Sequence, residues 1–486
     1  MQTLGRLARA IQEDREWKMP ANSVVSRADA AHLLRRTGFG GSNGEIAALT
    51  GNTRADCVAA VMGFQDGHAV PQGPDVGIPG WVVNEEQWEV HGQVVEWWAD
   101  RMASLPNPTA APTSEPTLAG NLPIYERLAF FWHDHFACSQ EKVGDIAAMW
   151  DQLRLFRRMA MGNFAELTRA VSIHPAMLVA LDNQHNTYST PQENFGRELM
   201  ELYTCGVGHF TETDVVAMTQ AWTGHNTVGW NDVEQFWDIT YQYKGGQHDH
   251  GSKTLFGISA NWNGVAQNEL LERDTIDELV YGVRQEQTAE RIAGLMFKYF
   301  ANLQASPVTI ANIADEFVAG GMEISALVRA VLLHDDFWAE SSHWAQVKNP
   351  MDFVVSVMKR TGISAGEFEL RWRMQSMGMV PLDPPSVAGW GKGMAWLSTA
   401  SAWGRGRFAS NLRWNSGMDG HLEDLDSMSR DAAVDEILAF YGIETASTPT
   451  REGLLDWFDS ALAGHSWSIT PQARMLGALV PEFQVY

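Results

Sequence analysis

The residues best suited to chemistry lie in Pro191–Tyr203, PQENFGRELMELY, the densest collection of ionisable side chains at helical spacing in the sequence. At about 100° per residue, a helix here puts Glu193, Asn194, Arg197, Glu198 and Glu201 on one face, with Phe195, Leu199, Leu202 and Tyr203 opposite. Arg197 stands four residues from both Glu193 and Glu201, so three carboxylates share one nearby cation. Turned inward, such crowding raises a carboxyl pKa toward acid/base work or holds a cation. Turned outward, it is a solvated strip whose pairs contribute roughly 0.2–0.5 kcal/mol each.

Three other segments carry comparable groups. IYERLAFFWHDHFACS, started by Pro123, is apolar on nearly all sides and predicts a buried helix, in which Glu126, His133, Asp134 and His135 need a reason to be present. Glu126 and His133, seven apart, share a face, whereas His133 and His135 project about 200° apart and cannot both ligate one metal within a helix. The loop Asp182–Thr187, with Asn183, His185 and Asn186, leads into the Glu-rich helix, a placement that commonly carries function. QHDHGSKTLFG holds His248, Asp249, His250 and Lys253. Its extended His-Asp-His can turn both rings one way toward a divalent metal ion, provided further ligands come from elsewhere.

The elements that must position these groups read as helices. Ser26 caps SRADAAHLLRRTGFGG, Gly38 ends it, and Arg35 and Arg36 at its C-terminus compensate the helix dipole. Helical patterning returns at 90–105, 145–172, after the Thr211 cap, through 274–338, after Pro350, and over 416–486. Only 228–244 looks strand-like and suggests a hairpin. PNPTAAPTSEPTLAG predicts a mobile Pro/Thr surface loop at 106–117, and the Gly and Trp stretch around Trp390 and Trp396 suits the wall of an aromatic cleft. The expected fold class is therefore mainly α, a single multi-helical globular domain over 26–486 with long loops and at most a small β-hairpin, preceded by an N-terminal arm of residues 1–25.

Composition excludes several functions. The 486 residues carry 35 Lys plus Arg against 59 Asp plus Glu, a formal charge of -24, which disfavours nucleic acid and anionic membrane surfaces as partners. Cys57, Cys138 and Cys205 are far apart, odd in number and without CxxC spacing, against a disulfide framework or thiolate zinc site. No run approaches the ~20 apolar residues of a membrane-spanning helix. The N-terminus lacks the apolar core of a secretory signal, so a cytoplasmic location is the default, with export open to a chain whose leader has been removed. GxGxxG before a strand, P-loop, HExxH and GxSxG motifs are all missing.

The blocks AAHLLRRTGFGG, FWHDHF, HPAMLVALDNQHN, PQENFGRELMELYTCGVGHFTETDV, TGHN, HDHGSKTLFG, KNPMDFVVS, PPSVAGW and PEFQVY occur in that order. In these the chain resembles the bacterial family catalogued as domain of unknown function 1800, over roughly Ser26 to Tyr486. The resemblance implies a mostly helical protein whose relatives are often exported and encoded beside another uncharacterised, Tat-exported protein; it implies no activity. Gln192, Gly196, Cys205 and Gln220 replace the family's usual Asn, Ala, Leu and Arg, sparing Glu193, Asn194, Arg197, Glu198 and Glu201.

Two functions compete. In the first, the four polar segments converge on a cleft walled by Trp390 and Trp396, forming an acid/base or metal-assisted hydrolase or lyase for a polar, glycan-like substrate. Glu193 or Glu198 is then the base, His135 the acid and Arg197 the orienting cation. Asn183, Asn194, Lys253, Trp390 and Trp396 would contact substrate, and His248, Asp249 and His250 would hold the divalent metal. In the second, the same residues form a structural polar network in a non-catalytic, envelope-associated binding or assembly protein.

Overall fold

The computed structural model describes residues 22–63, 87–104, 123–229, 239–268, 270–413, 425–464 and 469–486. The loop expected at 106–117 and the first 21 residues of the arm lie outside these. The arm's last residues belong to the fold: Val24 pairs with Thr53, and Val25 is buried.

Local signals start and stop the helices as the sequence predicts. Ser26 and Asp29 form a capping box at the head of Arg27–Gly38, and Thr211 and Asp214 do the same for Glu212–Ala221. Pro350 opens Pro350–Thr361 behind an Asn349 cap, and Gly362 closes it in the left-handed region. Among the described residues, strands form three two-stranded pairs between 225 and 274. His225–Val228 runs antiparallel to Thr240–Tyr243, Lys253–Leu255 antiparallel to Ile258–Ala260, and Trp262–Asn263 parallel to Arg273–Asp274.

One apolar core runs from Val25 to Phe483, with the helix Pro123–His135 at its centre. Ile124 to His133 of that helix are all buried, so each polar side chain on it must find a partner. Glu126 accepts from Arg157 at 2.7 Å and from the Trp98 indole at 3.0 Å; Arg127 pairs with Asp352. His133 packs edge-on against the same Trp98, so the shared face of Glu126 and His133 is real. The three cysteines are free and buried. Among the described residues no helix is long and apolar enough to cross a membrane.

Candidate functional site

The Glu-rich stretch is not one continuous α-helix. Glu193–Glu198 is α-helical, and Leu199–Tyr203 widens into a π-helical turn. A π turn leaves carbonyls without their usual partners, and other groups take them up. Thr204 Oγ1 donates to Leu199 O at 2.6 Å, Arg291 to Leu202 O at 3.1 Å, and His135 Nε2 to Tyr203 O at 3.1 Å.

The polar face ahead of this turn is solvated. Arg197 meets Glu193 at 3.5 Å and Glu212 at 2.8 Å, and Glu193 is more than half exposed. Asn194 reaches back to Leu181 O at 3.3 Å. Glu198 is half-buried, and burial together with the neighbouring Glu201 raises its pKa. Apolar contacts of Phe195 and Leu199 orient this helix, and its unbalanced carboxylates are left toward water rather than toward the histidines.

Asn183 is fully buried and structural: its amide donates to Trp222 O at 3.3 Å and His225 O at 3.0 Å while Asn186 donates to its oxygen. Lys253 is buried too, its ammonium bonded to the carbonyls of Asp249 and Gly251, so it ties the loop to itself. For the expected metal ligands, the loop holds one nitrogen of each ring to backbone and, among the described residues, leaves the other without a third protein ligand grouped beside it. His248 Nδ1 donates to Thr223 O at 2.8 Å, His250 Nε2 donates to Gly245 O at 3.0 Å, and Asp249 accepts from the Gly251 amide at 2.8 Å. Among the described residues no three His, Cys, Asp or Glu side chains are grouped to hold a metal ion.

The four polar segments therefore do not converge; of the expected site residues, His135, Trp390 and Trp396 alone line one common cleft. Its volume is about 190 Å³. Phe130, Phe131, Asp134 and His135 come from the central helix, and Arg291, Leu295, Lys298 and Tyr299 from one face of Gln285–Phe300. The Gly and Trp loop adds Trp390, Lys392 and Trp396, and Tyr486 and Asn349 close one side. Phe130 stacks on Trp390 with centroids 5.9 Å apart, and Phe131 lies parallel to the His135 ring.

Asp134 anchors the loop. It accepts from the Trp390 amide at 2.8 Å and pairs with Lys392. Gly389, at φ +79°, lies so close that a Cβ would collide with the Asp134 carboxylate, which explains glycine there. Desolvation pulls Lys392 down to about 8, which leaves the ammonium mostly charged at neutral pH beside the Asp134 carboxylate. Burial pushes His135 down to about 3, so at neutral pH it is an uncharged ring whose Nε2–H is committed to Tyr203. With that hydrogen already bonded to a carbonyl the ring is poorly disposed to the acid role that the sequence reading assigned to it, and keeps Nδ1 as an acceptor.

Arg291, Lys298, Lys392, Asn349 and Tyr486 were not expected here, whereas Asp134 lay in a segment expected at the cleft but had no assigned role. Two signals point to three of them: Lys392 stands between glycines inside the tryptophan loop, and Arg291, Leu295 and Lys298 recur at helical spacing. No curated protein and no solved structure matches this chain. The family model described as a protein of unknown function (DUF1800) matches residues 32–485, nearly the whole length, and the chain belongs to that family.

Proposed function

We propose that the protein binds a small, flat, apolar compound carrying an acidic group, with the rings against Trp390, Trp396 and Phe131 and the acid toward Lys392 and its neighbours. One observation carries this reading. The aromatic cleft is lined by three cations, Arg291, Lys298 and Lys392, against the single carboxylate of Asp134, in a chain whose formal charge is -24. Apolar walls supply affinity, and a few placed charges supply orientation. The cleft volume of about 190 Å³ is below the usual range for drug-sized ligands, which favours a small ring system over an extended glycan.

Hydrolase or lyase chemistry has less support, because Glu193, Glu198 and Arg197 stand outside the cleft and His135 is neutral. Titration calorimetry with 1-naphthoate and its uncharged amide tests the binding reading. The acid should bind at least about tenfold tighter, or ~1.4 kcal/mol. Lys392→Gln should erase that difference, and Trp396→Ala should weaken both ligands. Equal affinities for acid and amide, or indifference to both substitutions, would contradict the proposal.

A further inference from the structure

We propose a second site, separate from the cleft: a pocket for one small inorganic anion of halide size, formed where the helix Arg27–Gly38, the helix Pro350–Thr361 and the segment around Phe483 meet. Arg35, Lys348 and Arg360 all line this pocket. Arg35 and Lys348 are only 8% and 4% exposed. The Arg35 guanidinium lies 3.9 Å over the Trp344 ring and its Nε has no hydrogen-bond partner. Lys348 donates to Phe483 O at 2.8 Å, a carbonyl that carries no countercharge.

Carboxylates reach these cations only through space, Glu444 acting on Arg35 and Arg360, Glu45 on Arg360 and Asp352 on Lys348, and each is bonded first to other partners. Glu482, which also lines the pocket, accepts from the Ser447 amide at 2.8 Å and Thr450 Oγ1 at 3.0 Å. Glu444 pairs with Arg27 at 2.9 Å, and Glu45 accepts from the Ser42 amide at 2.7 Å and faces Lys359 at 3.6 Å. Three cations thus crowd a region from which water is largely removed, where a bound anion would stabilise their charged forms. A water could satisfy the Arg35 Nε, but not the charge. Capacity selects the ion: about 10 Å³ accepts roughly one water-sized sphere. Sulfate, phosphate and organic acids are too large.

The experiment is thermal unfolding of the full chain in chloride, gluconate and sulfate at matched ionic strength. Chloride should raise Tm saturably above gluconate, the signature of a ligand bound only by the folded state. Arg360→Gln should remove the chloride dependence. Should that variant not fold, bromide-soaked crystals of the parent decide, with an anomalous peak among Arg35, Lys348 and Arg360 expected. Equal Tm in chloride and gluconate, stabilisation by sulfate but not chloride, an unchanged chloride response in a folded Arg360→Gln, or no bromide peak would each overturn the proposal. None of these outcomes depends on what the aromatic cleft binds.

Discussion

A charged residue in this protein matters according to where its partner is, not how many charges surround it. Glu126 is sealed in the core between Arg157 and Trp98, so Glu126→Gln should strand a buried guanidinium and cost about 3–5 kcal/mol in denaturant titration. Glu193→Gln should leave the denaturation midpoint at the parent value, because that carboxylate faces solvent. Glu198 goes further: its pKa is raised by burial and by Glu201, so its charge is a liability in the fold and Glu198→Gln should leave the midpoint at or above the parent. A large loss at Glu193 or Glu198 would show that the face is turned inward after all.

Among the elements, the last residues act as a structural strap rather than a tail. Val485 pairs with Val347, the Lys348 amide donates to Gln484 O at 2.8 Å, and Tyr486 Oη donates to Asp352 at 2.7 Å beneath Arg36 and Arg127. Asp352 also accepts from Arg127 and from Asn349 at 2.7 Å, so the strap closes a network that reaches the central helix. Tyr486→Phe should therefore cost about 1–3 kcal/mol by leaving a buried carboxylate oxygen short of a donor. Equilibrium denaturation measures this, and an unchanged midpoint would show that the hydroxyl is not needed. The π turn plays a related part on the cleft side, since it frees the carbonyls that orient His135 and Arg291.

For the whole molecule the dominant electrostatic feature is a set of histidines held neutral by burial. His133 and His135 are pushed down to about 3 and His225 to about 4, and His32, His91, His248, His334 and His343 also lie below their ordinary value. A folded pKa below the unfolded value of 6.5 means that the unfolded chain takes up protons first. Stability from these rings is complete above 6.5 and falls as the pH drops toward the folded values, by up to about 1.4 kcal/mol per pH unit for each ring. Denaturant midpoints at pH 7.5, 6.5 and 5.5 should therefore decline steeply, above the range in which carboxylates titrate. A flat profile would mean that water or a countercharge reaches the rings.

The sequence by itself determined the helices, their caps and the buried character of Pro123–His135, because capping and apolar periodicity act between residues a few positions apart. Through its ordered blocks it also determined the family. It located the Trp390 and Trp396 wall and the His135 edge of the cleft, since tryptophan density and a histidine on an apolar helix are unusual enough to read directly. Only the tertiary structure decided which polar groups meet. The polar strip of Pro191–Tyr203 is compatible with either orientation, and the choice came from where Phe195 and Leu199 pack and from a π turn that ends the α-helical register at Glu198. Likewise Asp134 and Lys392 are 258 positions apart, and nothing short of the folded chain brings that carboxylate under the tryptophan loop.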